Sequence, residues 1–294
     1  MVNIEMPNRP IRLKNQTCPY CGVDFSSGVK TNVEHVVGRS FVPKGVLGEQ
    51  WNLVLNSCVE CNHEKSQLED DISVITLMSG KSHSDAETSA LVEREVARRA
   101  EKSGSRATGR SVAKSQASVD LALSPTEEAS FNINFIGPPQ IDDDRVFRLA
   151  EFHFRALCYF ISYREDERKG YSPGQIRHVG RFLHSDWGNP RARWFMTLQE
   201  DWEHRFCGNL ADGFFRASIK ASPTSKVWAL AVEWNHSVRV LALAGDDIAL
   251  DSICSTIPEL HGNFLKNADG NIIRIAKHVP LAESDDLMFQ GPDT

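Results

Sequence analysis

The apolar positions in the second half of the chain predict a buried helix followed by an antiparallel sheet. The helix is expected at DDDRVFRLAEFHFRALCYFISY, which begins with acidic residues and then has apolar residues on most sides. Strands are predicted at FFRASIKAS, KVWALAVEW and SVRVLALAG, and Asn235-His236 between the last two indicates a hairpin. The expected fold class is α+β, with a mostly antiparallel sheet in the C-terminal part.

Shorter signals predict the remaining elements of this region. A strand is expected at FNINFIG, where Pro138-Pro139 ends it, and NIIRIAKHV is expected to close the sheet. Ser172-Pro173 offers the N-cap and the first-turn proline of a helix. Two more helices are expected at PRARWFMTLQEDWEHRF and from Asp246 to about Leu260.

The first half of the chain has a looser pattern of short apolar stretches interrupted by Gly, Pro and Cys. In VEHVVGRSFVPKG the valines indicate the end of a strand before a loop. Ser84 and Glu87 form a capping box, which predicts a helix that runs to about Lys102. The following SGSRATGRSVAKSQAS has almost no large apolar residue and is expected to be flexible. The chain is thus expected to comprise an N-terminal domain, a helical then flexible linker and a C-terminal α+β domain, at residues 1–80, 81–130 and 131–294.

Composition narrows the class of protein without fixing its partner. The hydrophobic share of 41% and the charged share of 24% are typical of a soluble globular protein. No apolar run approaches the roughly 18 residues that span a bilayer, and no signal-peptide core is present, so we expect a cytoplasmic protein that does not contact membranes. The net charge is −6, yet residues 102–118 carry four basic residues and no acid. That segment either contacts phosphates or is a solvated linker.

Four of the seven cysteines form two CxxC pairs, Cys18/Cys21 and Cys58/Cys61. Two such pairs in a cytoplasmic chain favour a metal over disulfides. Four thiolates from two tight turns make a closed tetrahedral site, which is usually structural and holds zinc. A loop-rich segment with a small core gains stability from such a metal. The other three cysteines are expected to be small core residues, at Cys158, Cys207 and Cys254.

Three further groups occur in a fixed order around these pairs. Glu34-His35 follows the first pair, Asn52 lies in WNLVL, and Asn62 directly follows the last cysteine in CNHEKS. This ordered set resembles the HNH endonuclease family, whose fold is called ββα-metal. The resemblance covers about residues 15–72, roughly a fifth of the chain. It implies an N-terminal ββα domain with a structural zinc that hydrolyses DNA phosphodiester bonds.

The resemblance also implies a role for each residue of the set. Glu34 and Asn62 would be oxygen ligands of a catalytic Mg²⁺ or Mn²⁺. His35 would be the general base that activates water, and Asn52 would hold the loop that orients His35. The family more often has Asp where this chain has Glu34, but either residue supplies a carboxylate.

Several neighbouring residues are further candidates for the site. His63 is an alternative third metal ligand, a DNA contact or a plain surface residue. Asn62 is favoured as the ligand because it directly follows Cys61. Lys65 either contacts a phosphate or is a solvated lysine early in the helix. Arg39 and Lys44 are further candidates for phosphate contacts.

The main alternative is a non-catalytic zinc module that binds nucleic acid or protein. Such a module would need the cysteines but not the acid-His pair or the two asparagines. The C-terminal domain resembles no known family and is expected to recognise or regulate, through a partner protein, an activating ligand, a second copy of the chain or the DNA itself. The resemblance further suggests a bacterial anti-phage defence or restriction effector.

Overall fold

The computed structural model describes residues 10–43, 53–80, 86–126, 129–139, 141–259, 263–266, 272–275 and 277–291. The N-terminal elements are β1 (Ile11–Arg12), β2 (Thr31–His35), β3 (Leu53–Cys58), α1 (Val59–Met78) and α2 (Ala86–Lys102). A long hairpin and a helix follow as β4 (Gln116–Thr126), β5 (Ala129–Pro139) and α3 (Asp143–Ile161). The C-terminal elements are β6 (Gln175–Leu183), α4 (Pro190–Leu198), β7 (Glu203–Leu210), β8 (Phe215–Ala221), β9 (Val227–Trp234), β10 (Val238–Gly245), α5 (Asp247–Cys254), β11 (Asn263–Lys266) and β12 (Ile272–Ile275).

The N-terminal strands form a small sheet in the order β1-β3-β2. β2 runs antiparallel to β3, with Glu34 opposite Leu55 and His35 opposite Val54, and β1 runs parallel to β3. α1 follows β3 without a loop, because Cys58 ends the strand and is also the N-cap of the helix. This sharp transition brings the first turn of α1 beside the end of β2.

The main sheet is antiparallel and has the strand order β6-β10-β9-β8-β7. Asn235, His236 and Ser237 join β9 to β10, and the first two have positive φ angles of 54° and 49°, which are common in tight hairpin turns. The hairpin prediction is therefore confirmed, as are the three strands around it. Together with the helices, this sheet makes the protein α+β.

Both faces of the main sheet are buried. Alternate residues such as Val232 and Trp234 face α3 and the N-terminal elements, and form one core cluster with Phe41 and Leu53. The intervening residues face α4, α5 and Met288 in a second cluster. The N-terminal and C-terminal parts therefore share one core, whereas the division of the chain into three domains stays a prediction.

Several predicted elements need correction. The chain after Ser172-Pro173 forms strand β6 rather than a helix, because it pairs with β10 and so buries Val179 and Phe182. The long helix expected from Pro190 ends at Leu198, and β7 follows it. Two smaller differences are that β12 pairs with β11 rather than with the main sheet, and that α5 ends at Cys254.

The segment after α2 is folded against α1. The helix itself ends at Lys102, in agreement with the predicted end of this helix. The backbone N–H of Val112 then donates to the carbonyl of Ser103 at 2.9 Å, and Val112 is fully buried beside Val74 and Ile75 of α1. The sequence pattern missed this anchor because a single valine carries it. Strand β4, which was also missed, begins at Gln116.

Within the described ranges, no helix combines the length and the apolarity that crossing a membrane requires.

Candidate functional site

The four paired cysteines come together at the edge of the small sheet. Cys18 and Cys21 lie in a turn in which the N–H of Gly22 donates to the carbonyl of Cys18, and Gly22 has a φ of 76° that favours glycine. Cys58 ends β3, and Cys61 lies in the first turn of α1. All four sulfur atoms lie within 4.8 Å of one another.

The geometry of these sulfurs fits a zinc ion. A tetrahedral site with Zn–S bonds of about 2.3 Å separates its sulfurs by about 3.8 Å. Cys21 Sγ and Cys58 Sγ are 3.8 Å apart. The hydrogen bond with Cys61 lowers the pKa of Cys18 to about 5, whereas burial raises the pKa of Cys58 to about 11. Thiolates this close repel one another, so all four are stable in the charged form only around a cation.

Glu34 and Asn62 are in direct contact beside this cluster. Glu34 lies on β2 and is buried, and Asn62 is the residue after Cys61 on α1. Nδ2 of Asn62 donates to Oε2 of Glu34, and Nδ2 of Asn32 lies 3.5 Å from Oδ1 of Asn62. The strand-to-helix transition at Cys58 thus brings a carboxylate and an amide to one point.

Lys65 is the main electrostatic partner of Glu34. Its Nζ lies 2.6 Å from Oε1 of Glu34 and donates to the carbonyl of His35 at 3.1 Å. Burial alone would lower the pKa of Lys65, but Glu69 and Glu34 together hold it above its usual value. The residue is only 1% exposed, so it offers no surface to a phosphate. Both expected roles of Lys65, a phosphate contact and a solvated lysine, are therefore wrong: the buried Lys65 contacts Glu34 and orients it.

Two members of this buried group were missed by the sequence analysis. The hydroxyl of Tyr20 donates to Oε1 of Glu34 at 3.3 Å, and burial raises the pKa of that tyrosine. Glu69 pairs with Lys65 one helical turn away, and its carboxylate occupies the space that a side chain at Gly38 would need. The available signals were the Tyr inside CPYC and the four-residue spacing of Lys65 and Glu69.

His35 ends β2 and is partly exposed. Its Nε2 lies 3.4 Å from Nη2 of Arg39, which is exposed on the following 3₁₀ turn. Burial and the charge of Arg39 lower the pKa of His35. The imidazole is therefore mostly neutral near pH 7, and a neutral imidazole can accept a proton.

The 3₁₀ turn after His35, Arg39–Phe41, is fixed from α2 by Arg99. Nη1 of Arg99 donates to the carbonyl of Ser40 at 2.6 Å, and Nη2 donates to that of Val42 at 3.0 Å. Glu95 holds the same guanidinium at 2.9 Å. The sequence analysis did not identify Arg99, because nothing local distinguishes it from its neighbour Arg98.

A buried histidine of α3 packs against the 3₁₀ turn after His35. The His153 ring packs edge-on against Phe41 of the turn and against Phe215 and Trp234 of the main sheet. Burial lowers the pKa of His153 well below its usual value. His153 thus links the C-terminal sheet to the loop that carries Arg39.

The remaining predicted site residues fall into two groups. His63 is exposed on α1, next to Asn62. Asn52 and Lys44 lie outside the described residues, so their predicted roles stay predictions.

A separate cavity of about 360 Å³ lies between the end of α3 and strands β9 and β10. Its lining is mainly apolar and includes Cys158, Tyr171, Trp228 and Gly245. Tyr171 is 59% exposed at this site.

Comparisons of the chain with models of known protein families, with curated proteins and with solved structures found no match. The function must therefore be argued from the arrangement of the residues themselves. The four-cysteine cluster supports a bound metal such as zinc. The chemistry next to it is the basis of the proposal that follows.

Proposed function

We propose that this protein is a metal-dependent endonuclease of the HNH kind that hydrolyses phosphodiester bonds in DNA. The observation that carries the proposal is the direct contact of Glu34 with Asn62, next to His35 and beside the cysteine cluster. The antiparallel pair β2-β3 followed by α1 is consistent with a ββα-metal arrangement.

Two kinds of metal site are proposed, and the donor atoms suit each. The four sulfurs suit zinc, which would join the turn after β1 to the start of α1. The carboxylate of Glu34 would be an oxygen donor to Mg²⁺ or Mn²⁺, and so would Oδ1 of Asn62 once the amide, whose nitrogen contacts Glu34, turns over. Both cations often bind few protein ligands and complete their shell with water and substrate phosphate. Such a cation supplies charge stabilisation for the phosphate and the leaving oxygen.

The chain's own residues divide the remaining tasks. His35, neutral because its pKa is lowered, would take a proton from the attacking water. Lys65 and Tyr20 hold the carboxylate of Glu34 in one orientation. Arg39 is exposed beside His35 and would contact a phosphate.

For the C-terminal part we propose a recognition or regulatory role, as in a bacterial defence or restriction effector. Its helix α3 is tied to α1 by Arg148 with Glu64 at 2.6 Å and by Arg145 with Asp71 at 2.6 Å. A change in the C-terminal part would therefore be transmitted to the helix that carries Asn62. The cavity near Tyr171 is where an activating ligand would bind.

One observation favours the non-catalytic alternative. Both carboxylate oxygens of Glu34 already have protein partners, namely Lys65 and Tyr20 on one oxygen and Asn62 on the other. A purely structural Glu34 would have the same contacts. The zinc module that binds nucleic acid or protein thus remains the second candidate.

A cleavage assay separates the two candidates. Zinc-loaded protein would be incubated with supercoiled plasmid and Mg²⁺ or Mn²⁺, beside His35→Ala, Asn62→Ala and the exposed control His278→Ala. We expect nicking or linearisation that His278→Ala retains and that the other two variants lose, with unchanged zinc content and melting temperature. Absence of cleavage by the folded, zinc-loaded wild type with either cation would favour the non-catalytic module.

A further inference from the structure

Residues 102–114, here called the basic turn, form a fixed, positively charged surface. Four exposed cations and no acid occur in it, at Lys102, Arg106, Arg110 and Lys114. The N–H of Ser105 donates to the carbonyl of Arg110 at 2.7 Å, and the N–H of Gly109 donates to that of Ser105 at 2.8 Å. Together with the buried Val112, these bonds fix the backbone that carries the cations.

The basic turn lies a short way along α1 from the proposed active site. The N–H of Arg106 donates to Oδ2 of Asp71 at 2.9 Å, and the Arg106 guanidinium donates to the Gln67 side chain at 2.5 Å. Gln67 and Asp71 follow Asn62 on the same helix, at about 7.5 and 13.5 Å along its axis. At about 3.4 Å per nucleotide of one strand, this distance corresponds to about two to four phosphates.

Three of the four cations of the basic turn have no carboxylate partner among the described residues. In the part of the chain that the structure describes, no carboxylate lies within ion-pair distance of Lys102, Arg110 or Lys114. Nearby Arg145 and Arg148 differ in this respect, because each is paired with a carboxylate of α1. The charge of the basic turn is therefore available to an external anion.

We propose that the basic turn binds the phosphate backbone of duplex DNA on one side of the cleavage site. The inference rests on the proposed function, because the active site supplies the reason why a DNA strand would lie along α1. A protein with a net charge of −6 repels DNA over much of its surface, so a local positive surface must hold the duplex. Contacts of this kind orient the duplex and carry no sequence information.

The test is a binding measurement with the full, zinc-loaded chain in a His35→Ala background. A fluorescently labelled DNA duplex would be titrated at several salt concentrations, without added Mg²⁺ or Mn²⁺. Arg110→Ala with Lys114→Ala should lower the salt slope by about 2, because each phosphate contact contributes about 0.9. Between about 50 and 200 mM salt, the affinity of the parent should therefore fall about tenfold more than that of the variant.

A charge-matched control removes two exposed arginines elsewhere, Arg164→Ala with Arg205→Ala, and should leave the slope unchanged. Replacing Arg110 and Lys114 by Glu should weaken binding further, and thermal melting would verify that each variant folds. Equal losses in the control, an unchanged slope in the basic-turn variant, or an effect on single-stranded RNA but not on duplex DNA would overturn the inference.

A parallel plasmid assay, with His35 intact, distinguishes the two possible failures. Cleavage that persists unchanged when the basic turn is neutralised would leave the nuclease proposal standing and refute the inference. A protein that binds duplex through the basic turn but never cleaves would refute the nuclease proposal alone.

Discussion

Nζ of Lys65 lies 2.6 Å from Oε1 of Glu34, and the two side chains are only 1% and 7% exposed. The acid that precedes His35 is therefore held by a charge from α1, the same helix that carries Asn62. In a buried pair of this kind, the loss of one partner leaves an uncompensated charge in the interior. The same contacts that orient Glu34 thus contribute to the stability of the fold.

Replacement of Lys65 by Met should destabilise the protein by about 3–5 kcal/mol, because Glu34 and Glu69 then lose their buried cation. Urea unfolding of zinc-loaded protein would measure the loss. Adding Glu34→Gln to Lys65→Met should recover part of it, since one of the unpaired acids is removed. Fully additive losses in this double-mutant cycle would contradict a direct interaction between Lys65 and Glu34.

Arg99→Ala should loosen the 3₁₀ turn after His35, because two carbonyls lose a charged donor. Hydrogen bonds of this kind are worth about 1.5–3 kcal/mol each. Hydrogen exchange should show faster exchange at Phe41 and Val42 than in the wild type. This readout does not depend on the proposed nuclease activity.

Arg98→Ala is the matched control for this experiment. Arg98 precedes Arg99 and pairs with the same Glu95, but its side chain is 52% exposed. Exposed pairs contribute about 0–1 kcal/mol, so exchange in the turn should be nearly unchanged. A similar response of both variants would mean that the helix, rather than the Arg99 contacts, holds the turn.

The elements that were predicted correctly are those whose signals are local. Helix α3 has acidic residues at its start and a long apolar face, and the β9-β10 hairpin is marked by Asn235-His236. The cysteine cluster also follows from spacing alone. The helix predicted from Ser172-Pro173 is wrong, because the pairing of β6 with β10 outweighs a local helix signal.

The contacts that support the candidate site could not be predicted in the same way. Arg99 reaches Ser40 across nearly sixty positions, and His153 reaches Phe41 across more than a hundred. No periodicity relates residues so far apart, since the packing of α2 and α3 alone brings them together. The sequence indicates His35 as a candidate site residue, but it does not indicate the residues that fix the surroundings of His35.

His153 predicts a specific pH dependence of stability. Its pKa in the folded protein is depressed, so the neutral form that folding requires is fully present above the ordinary value of 6.5. Below that value the unfolded chain binds a proton that the folded protein does not. Stability should therefore fall as the pH drops, by up to about 1.4 kcal/mol per pH unit.

His153→Phe should remove this contribution, because phenylalanine has no proton to bind. Unfolding free energies of both proteins would be compared from pH 6.5 downwards. The difference between wild type and His153→Phe should change with pH. If the unfolding free energies of wild type and His153→Phe changed equally with pH, the imidazole of His153 would have the same protonation state in the folded and the unfolded protein.

The cysteine cluster predicts one zinc ion per chain, held by four of the seven cysteines. Cys58→Ser should greatly weaken binding, because a hydroxyl is a poor zinc ligand at neutral pH. The zinc would join the turn after β1 to the start of α1, so loss of the metal should unfold the N-terminal elements. Metal analysis and thermal melting would measure both effects.

Cys254→Ser is the control, because Cys254 lies on α5, outside the cluster. It should retain the zinc and the melting temperature of the wild type. In the wild type, a thiol reagent should modify the half-buried Cys207 and Cys254 without releasing metal, and release should begin only as the paired cysteines react. Zinc that survives Cys58→Ser with unchanged affinity would show that the four sulfurs are not its ligands. In that case the position of Asn62 beside Glu34 would have to be explained by the packing of α1 on the small sheet alone.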